Sequence, residues 1–106
     1  MRARAPYLAA LLFVTSAAMA ADSHTISASF SCDGGKKIQA VFITGSQPSV
    51  QLSLSDGRQI ELPQATSASG ARYANRDESF VFWNKGRTAF IEEAGKSTYT
   101  GCMQSQ

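Results

Sequence analysis

From residue 26 onward, apolar and polar positions alternate with a period of two. This alternation is typical of β-strands that bury one face. Turn signals rich in Gly, Asp, Asn and Pro separate the apolar runs, and no run keeps a helical period over three turns. The pattern predicts seven or eight short strands, within residues 26–32, 38–43, 50–54, 58–62, 71–74, 79–84, 88–92 and 97–102.

A sheet of this size with no helix to cover it has to hide its strand edges, because edge N–H and C=O groups are unpaired. We therefore predict an all-β fold, a small closed antiparallel barrel, with a flattened sandwich as the alternative. Ala40–Ile43 and Phe80–Trp83 are apolar on both faces. The outward face of each run needs cover from the protein's own loops, a neighbouring subunit or a ligand.

The first twenty residues carry the three parts of a secretory signal. Arg2 and Arg4 give a positive start, an apolar run follows, and Ala18-Met19-Ala20 is a small-x-small cleavage site. We predict that residues 1–20 are a cleaved signal and residues 21–106 one β-barrel domain. A membrane anchor is the alternative, although the apolar run is short for a bilayer. No cysteine lies near the cut, so we expect a periplasmic protein and not a lipoprotein.

Charge and residue inventory narrow the range of functions. The chain has 10 Lys and Arg and 8 Asp and Glu; two of the basic residues lie in the predicted signal, so the remainder is close to neutral. Neutrality argues against nucleic acid or an anionic membrane as partner. A single histidine, His24, and two cysteines are too few for most zinc or triad chemistry. We expect no enzyme, no metal and no cofactor.

The two cysteines, Cys32 and Cys102, are the only pair in the chain. An exported protein meets an oxidising compartment, so we expect them to form a disulfide. The chain-entropy model gives the loop of about 71 residues a stabilisation of about 4.4 kcal/mol. Two free thiols are the alternative, and no Cys-x-x-Cys spacing suggests redox activity.

Two segments carry candidate binding residues. Ser67–Tyr73 is small and polar, with a hydroxyl at Ser69 and a flexible backbone at Gly70. In Trp83–Gly86, strand alternation places Trp83 and Lys85 on one side, an aromatic surface beside a charge. Taken alone, the first segment is also typical of an ordinary surface loop, and the lysine of the second is also typical of a solvated surface charge.

Together, the two segments resemble a known signature. Ser67–Tyr73 (SASGARY) followed by Phe80–Gly86 (FVFWNKG) is similar to the paired motifs of the MliC/PliC family of bacterial inhibitors of c-type lysozyme. Cys32 with Asp33 and Gly34, and the late Cys102, extend the similarity. The resemblance implies an eight-stranded antiparallel barrel with one disulfide. Without a lipid-attachment cysteine, the chain resembles the periplasmic branch.

The resemblance also implies a partner, c-type lysozyme, and a mechanism. Ser69 and Lys85 would enter the lysozyme cleft and contact its catalytic aspartate and glutamate. A lysine there favours the ionised glutamate and removes the acid that the enzyme needs. Gly70 and Gly86, which lack side chains, would keep the two loop tips narrow enough to enter the cleft. The implied lysozyme-binding set is Ser69, Gly70, Ala71, Arg72, Tyr73, Trp83, Lys85 and Gly86.

Three positions depart from the family pattern. The connection at residues 74–79 is longer than usual in the family, which we expect to alter reach or affinity. Phe80 stands where tyrosine is common, and Asn84 where a small hydroxyl residue is usual.

Two other functions stay open on the sequence. The first is a periplasmic glycan- or peptidoglycan-binding module in which Trp83, Tyr73 and Tyr99 stack on sugars. The second is an assembly role in which the two-sided apolar strands form a homodimer interface.

Overall fold

The computed structural model describes residues 23–105, and the predicted signal at residues 1–20 lies outside them. All eight predicted strands are present, with ends that differ from the prediction by three residues at most. A short 3-10 turn, Asp33–Gly35, follows the first strand. The strands are β1 (His24–Ser31), β2 (Lys37–Thr44), β3 (Ser49–Leu54), β4 (Gln59–Ala65), β5 (Ala71–Ala74), β6 (Phe80–Lys85), β7 (Thr88–Glu93) and β8 (Lys96–Gln104).

The strands form a closed barrel, which confirms the prediction and excludes the flattened sandwich. Each strand pairs antiparallel with the next, and β8 returns to β1. The β1–β8 seam is short, with only Phe30–Gln104 and Ser31–Met103 in register. The first half of β1 therefore pairs with β2 alone. Within residues 23–105, no helix is long and apolar enough to cross a bilayer.

The inward-facing side chains fill the barrel. Phe82 lies at the centre, with ring centroids of Phe30, Phe42 and Tyr73 between 6.1 and 6.2 Å away. These separations suit edge and tilted aromatic packing. Ile26 differs from its neighbours: alternation directs it inward, yet it is 58% exposed. The reason is its position on the part of β1 that β8 does not reach.

The disulfide between Cys32 and Cys102 is present, and the described residues contain no free cysteine. The bond lies one step beyond the last β1–β8 pair, Ser31–Met103. It therefore extends the short seam by a covalent link. The expectation of a disulfide is confirmed, and the alternative of two free thiols is wrong.

The outward face of β6 is covered mainly by the protein's own side chains. Val81 points outward but is buried, as is its cross-strand partner Ala74. On the same face, Arg72 forms an ion pair of 2.6 Å with Glu78 from the β5–β6 loop. The corresponding residues of β2, Val41 and Ile43, stay partly exposed.

An ionic cluster closes the barrel end that carries the β3–β4 and β7–β8 turns. Arg58 donates to both carboxylate oxygens of Glu93, at 2.8 and 3.0 Å, and to Asp56 at 2.8 Å. These hydrogen bonds lower the pKa of Glu93. A bond from the Arg58 backbone N–H contributes most to the lowered pKa of Asp56. Arg58 also lies 5.8 Å from the ring centroid of Phe80, so the cluster caps the core.

Candidate functional site

The two sequence motifs meet at the barrel end opposite the ionic cluster. Antiparallel pairing of β5 with β6 sets Ala71 beside Asn84 and Arg72 beside Trp83. Ser69 and Gly70 immediately precede β5, and Lys85 ends β6. The register of two adjacent strands thus joins segments that are about a dozen residues apart along the chain.

A direct hydrogen bond ties the Ser67–Tyr73 segment to β6. The indole N–H of Trp83 donates to the Ser69 carbonyl at 2.9 Å. The Ser67 hydroxyl donates to the same carbonyl and accepts a bond from the Ser69 N–H at 3.2 Å. The backbone of Ser69 is therefore fixed from two sides. Its own side chain is exposed, and no residue between 23 and 105 bonds its hydroxyl.

Gly70 allows the close approach of the two segments. Its φ of +69° lies in the left-handed region that disfavours residues with a Cβ. A Cβ at this position would lie 2.7 Å from the Asn84 carbonyl oxygen and 2.7 Å from Lys85 Cγ. Glycine is thus required both by backbone conformation and by space.

Lys85 is exposed and lies above the indole of Trp83. Its Nζ is 4.8 Å from the ring centroid, within the range of a cation–π interaction. Within the described part of the chain, Lys85 forms no ion pair with a carboxylate. The ammonium thus keeps its capacity to bind an acidic group from outside.

Lys85 lies within β6, although the predicted strand ends one residue earlier, at residue 84. Lys85 is the last residue of β6, and the tip of the β6–β7 hairpin consists of Gly86 and Arg87. The Asn84 amide donates to the carbonyl oxygens of Gly86 and Thr88, at 3.1 and 3.0 Å. Asn84, one of the three departures named above, therefore stabilises the turn that follows the lysine.

Trp83 is the centre of a row of side chains on the outer surface. Cross-strand pairing sets Arg72 on one side of it and Phe90 on the other. The Phe90 ring stacks on the indole at 5.7 Å and 28°. The Arg72 guanidinium lies 5.6 Å from the same ring. Phe90 and Glu78, the ion-pair partner of Arg72, were not among the residues that the sequence indicated.

Tyr73 belongs to the core and does not lie at the surface of the site. It is 6% exposed, and burial raises the pKa of its hydroxyl. Tyr99 is 2% exposed. The alternative of a glycan-binding module therefore loses both rings as sugar-stacking platforms, because both are buried. Ala71 is also partly buried and packs against the core.

The long β5–β6 connection lies at the far end of its hairpin from Ser69 and Lys85. Asn75 organises it: its Oδ1 accepts from the Phe80 N–H at 3.0 Å, and its Nδ2 donates to Ser79 Oγ at 2.9 Å. The loop therefore does not extend either motif tip, and its effect on affinity stays a prediction. Its contact with the site is indirect, through the Arg72–Glu78 pair.

Over residues 23–105 no group of three His, Cys, Asp or Glu side chains has the geometry of a metal site. The site instead offers one hydroxyl, one ammonium and backbone groups held close together on a rigid sheet. These features define the class of the protein: a small disulfide-linked barrel with a candidate binding surface at one end.

A comparison with protein-family models identifies the family within this class. The model of the MliC family, described as membrane-bound lysozyme-inhibitor of c-type lysozyme, matches residues 30–99. The match covers both motifs, and the chain belongs to this family.

Two relatives show the extent of the similarity. A protein of Yersinia enterocolitica named membrane-bound lysozyme inhibitor of C-type lysozyme is 44% identical over 69 residues, which is 65% of this chain and 56% of that protein. The chain thus spans little more than half of that relative. The crystal structure of Pseudomonas aeruginosa MliC in complex with hen egg white lysozyme has a TM-score of 0.66 at 24% identity, covering 99% of this chain and 100% of that one. This likeness supports the barrel fold.

Proposed function

We propose that this chain is a protein inhibitor of c-type lysozyme that inserts Ser69 and Lys85 into the active-site cleft. The observation that carries the proposal is the joined, exposed end of the barrel. There, one pair of strands holds a hydroxyl and an ammonium that have no hydrogen-bond or carboxylate partner, respectively, among residues 23–105. Membership in the MliC family and the names of the relatives support the same function.

The chemistry of lysozyme explains why these two groups suffice. Glycoside hydrolysis by two carboxyls needs one of them protonated, to donate to the leaving group, and the other ionised. An ammonium inserted beside the acid stabilises its ionised form and lowers its pKa. The acid then has no proton to give. The Ser69 hydroxyl would donate a hydrogen bond to a second carboxylate oxygen.

The position of the cation on a sheet favours tight binding. Lys85 ends a strand, and Gly70 and Gly86 keep the adjacent backbone free of side chains. A partner that excludes water from this end would strengthen the charge-assisted hydrogen bonds of the ammonium. Because the domain is close to neutral overall, we expect only modest electrostatic steering of association.

The structure weakens the two other functions. A glycan-binding module loses Tyr73 and Tyr99 as stacking platforms, since both are buried. A homodimer through the two-sided apolar strands loses Val81 of β6 as a contact residue, because this side chain is already buried.

The test is titration of the mature domain into a turbidity assay with c-type lysozyme, using g-type and i-type lysozymes as controls. We expect Lys85→Ala to weaken inhibition by about 2–5 kcal/mol, the cost of leaving a desolvated charge unpaired. Lys96→Ala, an exposed lysine at the opposite barrel end, is the matched control and should not change inhibition. Unchanged inhibition in the Ser69→Ala/Lys85→Ala double variant would contradict insertion into the cleft.

The location of the protein is a separate part of the proposal. The relative from Yersinia enterocolitica is named membrane-bound. For this chain we propose export, cleavage after Ala20 and a soluble periplasmic form without a lipid anchor, supported by the signal-like residues 1–20. Intact-mass measurement of the protein from fractionated cells tests this. A lipid-modified mass or recovery with the membranes would contradict it.

A further inference from the structure

We propose that Trp83 is a positioning residue that holds Ser69 and Lys85 in one arrangement before any partner arrives. This inference rests on the proposed function, because it assigns Trp83 a task in presenting the two inhibitory groups. It differs from a simple contact role, in which the indole would only add surface to the interface.

One side chain contacts both motif groups. The indole N–H donates to the Ser69 carbonyl at 2.9 Å, across 14 residues of sequence. The face of the same ring lies under the Lys85 ammonium, with Nζ 4.8 Å from the centroid. No other described side chain bonds to both segments in this way.

The indole itself is held in place. Phe90 stacks on it at 5.7 Å, and the Arg72 guanidinium lies 5.6 Å from its centroid. Arg72 is restrained in turn by its 2.6 Å ion pair with Glu78, and its side chain is only 17% exposed. The orientation of the ring is thus fixed by Arg72 of the first motif and by two residues outside both motifs, Phe90 and Glu78.

Such an arrangement reduces the loss of conformational freedom on binding. A lysine side chain is among those that lose the most conformational entropy, and each such side chain ordered at an interface weakens binding by roughly twofold to tenfold. A carbonyl bonded to the indole likewise restrains the loop that carries the Ser69 hydroxyl. We therefore expect Trp83 to contribute through the order it imposes before binding.

Two substitutions separate the contacts. Trp83→Phe keeps an aromatic face for Lys85 but removes the N–H donor to Ser69. Trp83→Leu removes both. We expect Trp83→Phe to weaken inhibition roughly twofold to tenfold and Trp83→Leu to weaken it further.

Double-mutant cycles give the sharper readout. The effects of Trp83→Phe and Ser69→Ala should be strongly non-additive, while those of Trp83→Phe and Lys85→Ala should add. Trp83→Leu should be non-additive with Lys85→Ala. Ile26→Ala, an exposed apolar position on β1, is the control and should be additive with each of them. Additivity in every cycle would overturn the positioning role.

A measurement without lysozyme tests the contacts directly. The chain has one Trp, so a nitrogen-15 spectrum contains a single indole N–H resonance. We expect this proton to exchange more slowly than a free indole, and the resonance to shift in Lys85→Ala. The unsubstituted protein is first shown to be folded by urea unfolding. If its indole proton then exchanges as fast as that of a free indole, the positioning role is refuted.

The two readouts distinguish the two proposals. If the indole is protected but neither Lys85→Ala nor Ser69→Ala changes inhibition, the proposed function fails, and with it a positioning role in inhibition. If those variants weaken inhibition but the indole is unprotected, only the role of Trp83 fails.

Discussion

Replacing Gly70 with alanine should affect the site more than replacing any other exposed glycine of the barrel. Two costs combine at this position. The φ of +69° is unfavourable for alanine by about 1–2 kcal/mol. The added Cβ would also lie 2.7 Å from the Asn84 carbonyl oxygen. This oxygen belongs to a paired strand, so it cannot move without disturbing β6.

Gly34 provides a matched control because it shares only the first cost. Its φ is +73°, and a Cβ there would meet nothing within 4 Å. We expect Gly34→Ala to lower the free energy of unfolding by about 1–2 kcal/mol. Gly70→Ala should lower it by a further 1–3 kcal/mol or so, the typical cost of overpacking.

Urea unfolding with the disulfide intact measures this difference. With a slope of about 1 kcal/mol per molar urea for a domain of this size, the Gly70→Ala midpoint should lie about 1–3 M below that of Gly34→Ala. Inhibition of lysozyme should also weaken in Gly70→Ala and not in Gly34→Ala, because Ser69 and Lys85 would be pushed apart. Equal midpoints for the two variants would show that the close approach at Gly70 is not a constraint.

Two further predictions concern the rest of the barrel. Replacing Cys32 and Cys102 together by serine should lower the free energy of unfolding by about 4.4 kcal/mol, from the entropy of a loop of about 70 residues; a thermal midpoint unchanged from the oxidised parent would contradict this. Arg58→Met should cost about 1 kcal/mol at neutral pH, a modest value because the Arg58 side chain is 43% exposed. Since Arg58 lowers the pKa of Glu93 from its ordinary 4.5, that stabilisation is present above pH 4.5 and is lost as the pH falls through the folded value. Urea unfolding between pH 7 and pH 3 should therefore show the parent and Arg58→Met converging in acid, and a constant difference would count against this ion pair.

Strand positions were predictable because alternation of apolar and polar residues defines the strands and turn residues define their ends. Closure of the barrel was predictable because no helix is available to cover the strand edges. The pairing of Ala71 with Asn84 was not, since register depends on side-chain packing that no local pattern specifies. Burial of Tyr73 is another example. Its place in a binding motif suggested exposure, whereas its inward position on β5 places it against Phe42 and Phe82.

The supporting residues of the site were harder to find than the motif residues. Phe90 contacts Trp83, and Glu78 contacts Arg72, only because strand pairing and the loop bring them together. Nothing in the sequence around Phe90 or Glu78 indicates a part in a binding site. The side of the strand shared by Trp83 and Lys85, by contrast, follows from the period of two and is confirmed by their contact. The length of the β5–β6 loop was visible in the sequence, but its distance from the motif tips was not.

The contact between the end of β8 and the β6–β7 hairpin has a practical consequence. The Gln104 N–H donates to the Arg87 carbonyl at 2.8 Å, and Arg87, at the hairpin tip, is next but one to Lys85. A dye, bead or affinity tag attached at Ser105 would therefore lie beside the end that carries Ser69 and Lys85. Sensors for lysozyme built on this barrel should be coupled through the β7–β8 turn, which lies at the opposite end.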